Sequence, residues 1–256
     1  MEDHVYDELA KAEWTHWWCV GRRAILADTI ARAITGGKTR ALDIGCGLGL
    51  NAKILQTKAK EVTGIESSRQ ALDAAAKINP ELKIQKGFFP NVSLEGTFDI
   101  VTMFDVLEHC ENDSATLEAI QKILTPEGVV MLTVPAFQWL WTEHDTIVQH
   151  KRRYTKNELM TKLNNAGFAI QRITYFNTIL FPAIVLLRTI RKIFGIKQTA
   201  SDYALPNPIL NAIFKKIFML EKYLLRYSNL PIGVSILCIA TNAAVPQASA
   251  NQHPPS

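Results

Sequence analysis

Cysteine is scarce: Cys19, Cys46, Cys110 and Cys238 are the only four in 256 residues, and they lie far apart. With no C-x-x-C pair among them, neither a zinc knuckle nor a disulfide framework is indicated, and reduced thiols in the cytoplasm are the expected state. Long apolar runs are missing as well, since none reaches the ~20 residues that cross a bilayer. The opening stretch MEDHVYDELAKAEW is acidic and polar, which argues against a secretory signal with its cationic start and apolar middle. Charge of one sign is also lacking. A net +4 over this length supplies no basic patch interleaved with aromatics, so no nucleic-acid partner is expected. Nor is there an internal repeat, which removes solenoid architectures.

What is present is the balance of a globular protein, 48% apolar and 20% charged, with enough chain for a full core. Seven short runs rich in β-branched residues are bounded by turn residues and read as strands: 40–44, 61–65, 82–85, 98–104, 128–134, 168–176 and 233–241. Helical periodicity fills most of the gaps. Between Asn112 and Leu124 the residues Leu117, Ile120, Ile123 and Leu124 share a face, and Pro126-Glu127-Gly128 is expected to turn the chain into the next strand. Thr155 with Glu158 three residues on predicts a capping box, closed by Gly167. This alternation predicts an α/β fold: a doubly wound, mostly parallel seven-stranded Rossmann-like sheet with helices on both faces. The pattern breaks after Phe176. The expected organisation is therefore a helical N-terminal segment over 1–38, a core over 39–176 and 230–241, a helical insertion over 177–229, and a disordered tail over 242–256, whose Pro, Ala, Ser and Gln carry no apolar period.

The stretch LDIGCGLGL places Gly45, Gly47 and Gly49 directly after the first strand, where the backbone can approach a ligand at the carboxyl edge of the sheet. A dinucleotide site wants G-x-G-x-x-G, but Leu50 stands where its third glycine belongs. Asp43, two residues ahead of the first glycine, would repel a pyrophosphate and attract a cation. A nucleoside carrying an ammonium and a sulfonium, S-adenosylmethionine (SAM), suits that charge.

LDIGCGLGL resembles the first motif of class I SAM-dependent methyltransferases, FDIVTMFDVLEHC resembles their fourth strand and its loop, and LTPEGVVMLTVP their fifth strand. The resemblance runs from about Thr39 to Tyr175, with 233–241 as the antiparallel seventh strand. Within the class, EWTHWWCVGRR, PAFQWLWTEHDTIVQHKRRYT and LPIGVSI are similar to the branch related to ubiquinone-biosynthesis methyltransferases and to those found with surface-glycan and lipid pathways. The resemblance implies that Glu66, ending the second strand, accepts hydrogen bonds from the ribose hydroxyls, and that Phe104 and Asp105 meet the methionine part. Asp43, Gly45, Cys46, Gly47, Gly49 and Ser67 complete the implied cofactor set. The acidic residue that often follows strand three is replaced by KGFFPN, which leaves Phe88 or Phe89 to stack on adenine. The Trp14, Trp17 and Trp18 stripe ahead of Arg22 and Arg23 reads as packing, or as a lid over SAM.

The acceptor site is expected in EHDTIVQHKRRYT, which crowds Glu143, His144, Asp145, His150, Arg152, Arg153 and Tyr154 onto one loop. A histidine titrating near neutrality can take a proton from a hydroxyl. The candidates are His144, His150 and His109, in falling preference, with Tyr154 beside them. Asp105, Glu108 and His109 offer metal-ligand atoms within five residues, but so short a cluster arises by chance and no metal is expected. In 177–229 the apolar arcs AIVLLRTIRKIFGIK and NAIFKKIFMLEKYLLRY carry Arg and Lys opposite large apolar residues, a helical cap or a peripheral contact with the inner face of the membrane. The expected function is methyl transfer from SAM to a small-molecule, lipid-linked or glycan acceptor, most simply a hydroxyl. The rivals are a non-catalytic SAM-binding or membrane-recruitment module and an NAD-dependent oxidoreductase.

Overall fold

The computed structural model describes residues 10–195 and 207–243. Nine residues of the expected N-terminal segment and nearly all of the expected tail therefore lie outside the described residues. In chain order come α1 (Trp17–Ala33), β1 (Lys38–Ile44), α2 (Leu50–Leu55), β2 (Ala59–Glu66), α3 (Arg69–Ile78), β3 (Lys83–Lys86) and β4 (Phe98–Phe104). There follow α4 (Asp113–Ile123), β5 (Leu124–Pro135), α5 (Glu143–Ile147), α6 (Lys156–Asn165), β6 (Phe168–Phe176), α7 (Phe181–Ile193), α8 (Pro208–Tyr227) and β7 (Ser235–Asn242).

The strands form one sheet in the order β3-β2-β1-β4-β5-β7-β6. All pairs are parallel except those of β7, which runs against both β5 and β6. The order reverses between β1 and β4, and at such a switch point the two chain ends diverge and open a crevice at the carboxyl edge. Alternation along the strands separates two cores. Leu42, Val101 and Ile236 face α4 and α6, packing with Leu117, Ile120 and Leu159, while Ala41, Ile100 and Leu237 face α1 and α8, packing with Ile25, Ile30 and Phe218. Each strand buried on both sides reads as a continuous apolar run for this reason.

Local chemistry explains several boundaries. Asn112 caps α4 by accepting from Ala115 N at 3.0 Å, and at α6 the expected capping box is present, with Thr155 N and Oγ1 donating to Glu158 at 2.7 and 2.8 Å. Gly167 ends that element at φ +85°, a left-handed conformation that favours glycine. The Pro126-Glu127-Gly128 turn differs from expectation. Leu124 already pairs with Phe98, and the register shifts before Val129 meets Ile100. The buried Leu124 thus anchors the strand early, and the chain bulges outward at the exposed Pro126 and Glu127.

Helix α8 is joined to α1. Phe218 packs against Gly21, where any side chain would collide with its ring, and stacks on Phe176 at 6.2 Å. Asn211 accepts from Trp17 N and donates to Thr15 O, both at 2.9 Å, and Arg226 pairs with Asp28. Among the described residues no helix is long and apolar enough to cross a membrane.

Candidate active site

At the carboxyl edge, above the switch point, lies a cavity of about 1420 Å³. Single-ligand pockets run to about 1,000 Å³, so there is room here for a cofactor and an acceptor together. Gly45, Gly47 and Gly49 all have positive φ, +69°, +52° and +74°. At Gly47 a Cβ would meet nothing within 4 Å; it would project into the space a ligand needs. Glu66, at the end of β2, ties this turn down: one oxygen accepts from Gly47 N at 3.0 Å and the other from Ser67 N and Ser68 N, both at 2.8 Å. A carboxylate has about four lone-pair directions, and three are taken, so Glu66 can still accept from one hydroxyl on the cavity side. Gly49 differs from expectation. It does not line the cavity but caps α2, with its α-carbon turned toward Leu82 and Asn79.

Asp43 corrects the simplest electrostatic picture. It does not line the cavity. It is 2% exposed in the middle of the sheet, with one oxygen bonded by Thr102 Oγ1 at 2.7 Å and the other without a hydrogen-bond partner. Its charge was expected to attract a cationic ligand, but β1 is flanked by β2 and β4 at this register, which leaves Asp43 beneath the turn. Burial, partly offset by the Thr102 bond, pushes its pKa up from 3.8 to about 7. Because the folded value lies above the unfolded one, the stability contributed by the protonated carboxyl is full below about pH 4 and lost as pH rises through about 7. Asp43→Asn should therefore flatten the pH dependence of unfolding over that window, by up to about 4 kcal/mol. Parallel unfolding curves for the two proteins, measured in urea at a series of pH values, would contradict this.

Gly45, Cys46, Gly47, Glu66, Ser67 and Phe88 line one end of the cavity, and Phe88 is 71% exposed there. Phe104 and Asp105 border it where β4 ends. Asp105 has φ 55° and is paired through Oδ2 with Arg22 Nε of α1 at 2.6 Å, while the Arg22 guanidinium lies 5.0 Å from the Trp18 ring. The Trp17–Trp18 stripe is thus partly packing and partly a support for an arginine on the cavity wall.

His109, His144 and His150 also line the cavity. His150 is the best held. Its Nδ1 lies 2.8 Å from Asp145 Oδ1, and its backbone N–H donates to Asp145 O, also at 2.8 Å. Asp145, fully buried, is gripped from the other side by both Nε and Nη2 of Arg153, at 2.8 and 2.9 Å, and by Thr142 N. Burial alone would raise the Asp145 pKa, but the bonds from His150 and Arg153 outweigh it and hold the carboxylate well below its ordinary value. With Nδ1 committed to a carboxylate, Nε2 is the nitrogen left to act as a base. It lies 3.7 Å from Glu108 Oε1, and the His109 ring packs on it edge-to-face at 4.7 Å. Burial and the charge of Asp105 push the Glu108 carboxyl upward, while burial and His150 push His109 down to about 4. Both groups therefore favour their neutral states.

Tyr154 is a correction. It is 2% exposed, does not line the cavity, and donates to Asp113 Oδ2 at 2.9 Å within the core on the α4–α6 side. Burial and the Asp113 charge push its pKa far up. It is a packing residue of the core and takes no part in the acceptor site.

Residues 21–173 match the family described as Methyltransferase domain, which covers more than half of the chain. The chain belongs to this methyltransferase family. It is 34% identical over 113 residues to a ubiquinone biosynthesis O-methyltransferase of Dechloromonas aromatica, covering 41% of this chain and 48% of the relative. A mitochondrial ubiquinone biosynthesis O-methyltransferase of Schizosaccharomyces pombe is 28% identical over 148 residues, covering 51% and 53%. The chain thus spans about half the length of the curated relatives it matches. A SAM-dependent methyltransferase from Clostridium acetobutylicum shares the fold with a TM-score of 0.57 at 11% identity, over 93% of this chain and 96% of the other. The N-methyltransferase NodS from Bradyrhizobium japonicum, in complex with S-adenosyl-L-homocysteine, does so at 0.54 and 13%, over 88% and 87%. The strand order with β7 antiparallel is that of class I SAM-dependent methyltransferases, and the cofactor is SAM.

The methyltransferase also has site residues that sequence reasoning did not assign. Asp145 and Arg153 stood out only as charges on a loop; the Thr142-x-x-Asp145 spacing, a capping box at α5, was the signal that Asp145 points inward. Asn177, at the carboxyl end of β6, lines the cavity, is 1% exposed with φ 57°, and leaves Oδ1 without a hydrogen-bond partner. Glu108, His109 and His150 each offer one ligand atom, all within 4.8 Å of one another. That spacing suits one divalent cation once Glu108 has lost its proton, whereas Asp105, the third member of the sequence cluster, is committed to Arg22.

Proposed function

We propose that this methyltransferase transfers the SAM methyl group to a hydroxyl oxygen of a lipid-linked or glycan acceptor, with His150 as the base. The observation that carries this reading is the His150–Asp145–Arg153 chain, which fixes one histidine tautomer at the cavity wall, as a hydroxyl acceptor requires. Bound SAM supplies a methyl group already activated by its sulfonium. What remains for the chain is orientation and proton removal. Glu66 holds the ribose, the Gly45–Gly47 turn admits the backbone side of the nucleoside, and Phe88 stacks on adenine. Phe104, Asp105 and Arg22 hold the methionine end. His150 takes the acceptor's hydroxyl proton on Nε2 while Nδ1–H stays on Asp145, so the charge that develops on the imidazole is met by a carboxylate. His144 and His109 shape the wall beside it. Helix α1 acts as the lid, and α7 and α8 as the cap on the acceptor side.

The O-methyltransferase names of the curated relatives support an oxygen acceptor. An acceptor with an apolar body is supported by Ala183, Ile184 and Leu187 of α7 and Phe214 of α8 at the cavity wall. Incubation of the enzyme with methyl-labelled SAM and a lipid extract of its own cells should carry label into the organic phase. Label confined to water-soluble products would overturn the lipid-linked acceptor.

A further inference from the structure

Helices α7 and α8 carry most of the large apolar side chains that the described residues expose. Leu186, Ile190 and Ile193 recur at helical spacing on α7, and Ile213, Leu220 and Leu224 on α8, each between 39% and 72% exposed. A monomer rarely leaves stripes of this kind in water without a partner for them.

Charge narrows the partner. The cationic side chains Arg188, Arg191 and Lys192 lie on α7, and Lys215, Lys216 and Lys222 on α8. Across both helices the sole acidic residue is Glu221, which is fully buried and accepts from Thr178 N and Ile179 N at 2.6 and 2.7 Å. The exposed surface of the two helices therefore bears positive charge and no negative charge. A second copy of the chain would bring basic against basic, which costs affinity. Neither helix can span a bilayer, but exposed apolar stripes with Lys and Arg on the other faces of the same helices are what a helix lying in the plane of a lipid interface requires, with the long basic stems reaching up to the headgroups.

We propose that α7 and α8 dock the enzyme on an anionic bilayer surface and so place the mouth of the active-site cavity at the lipid. Ile184, Leu187, Arg188 and Arg191 of α7 and Phe214 of α8 border that cavity, so the docked helices also form its wall. Through Trp17 and Gly21, α8 is packed on α1, which carries Arg22 to the cavity wall, so the docking face and the pocket are joined by packed helices. Delivery of the acceptor from the bilayer rests on the lipid-linked reading above, whereas docking itself does not.

The test is flotation of the full chain with phosphatidylcholine vesicles, alone or mixed with phosphatidylglycerol, at low and high salt. Binding to the anionic vesicles should be stronger by about tenfold or more and should weaken with salt, since each basic residue near such a surface contributes a several-fold factor. Leu186→Glu/Ile190→Glu and Leu220→Glu/Leu224→Glu, all outside the cavity, should each lose flotation by about tenfold while binding S-adenosylhomocysteine as the parent does. Lys192→Glu/Lys216→Glu leaves the apolar stripes intact and should abolish the preference for anionic lipid, which keeps the test open if an apolar-face variant misfolds. The proposal fails if the parent does not float with anionic vesicles, if neutral vesicles bind it equally, or if the variants float unchanged. It also fails if the variants merely convert a dimer to a monomer. Failure of label to reach a lipid, with flotation intact, would remove the acceptor reading and leave docking standing.

Discussion

Replacing His150 by alanine should lower turnover by about 10²- to 10⁴-fold, the usual contribution of a positioned base, while the affinity for S-adenosylhomocysteine changes by less than about threefold, within the scatter of a distant substitution. The separation is expected because the proposed base His150 is held by Asp145, whereas the glycine turn is held by Glu66. Asp145→Asn should approach the same loss by a different route. The amide would no longer fix the proton on His150 Nδ1, and the Arg153 guanidinium, 7% exposed, would lose its bidentate partner. That variant should therefore also be less stable, whereas His150→Ala should unfold close to the parent. Calorimetric titration with the product cofactor, paired with initial rates, separates these outcomes; an equal loss of both quantities in His150→Ala would contradict the assignment of the base.

The second large effect is expected at Glu66. Its carboxylate gathers three backbone amides and lines the cavity, so Glu66→Ala should remove the charged hydrogen bond proposed to the ribose. At about 1.5–3 kcal/mol, the loss amounts to about 10- to 10²-fold in SAM affinity, with turnover at saturating SAM much less affected. Glu66→Gln should rescue little. One end of its side chain is an amide donor, and it would face backbone donors at Gly47, Ser67 or Ser68. A Kd for SAM within about threefold of the parent in the alanine variant would show that the ribose is held elsewhere.

The scaffold was legible because its determinants are local. The seven strands announce themselves as short β-branched runs, the α6 capping box needs only Thr155 and Glu158, and the glycine turn needs only its own backbone. Where side chains point across neighbouring elements, sequence reasoning ran short. Arg153 and Tyr154 are adjacent, but Tyr154 forms a β-bridge with Ala136, and consecutive residues on extended chain point to opposite sides. Arg153 therefore reaches Asp145 and the cavity wall, and Tyr154 the core. Asp43 likewise depends on its neighbours: its place between β2 and β4 buries it beneath the turn, where Thr102 is its hydrogen-bond partner. The preference among the three histidines was likewise undetermined by spacing, because what distinguishes His150 is Asp145, whose inward orientation depends on Thr142 and Arg153 together.

The most direct measurement is the position of the transferred methyl group, read by fragmentation mass spectrometry and NMR of the product formed from methyl-labelled SAM. A base at His150 predicts the label on an oxygen that carried a hydrogen in the acceptor, with no such product from His150→Ala beyond the residual rate given above. Label on nitrogen or carbon, or on oxygen at the parent rate without His150, would contradict the account.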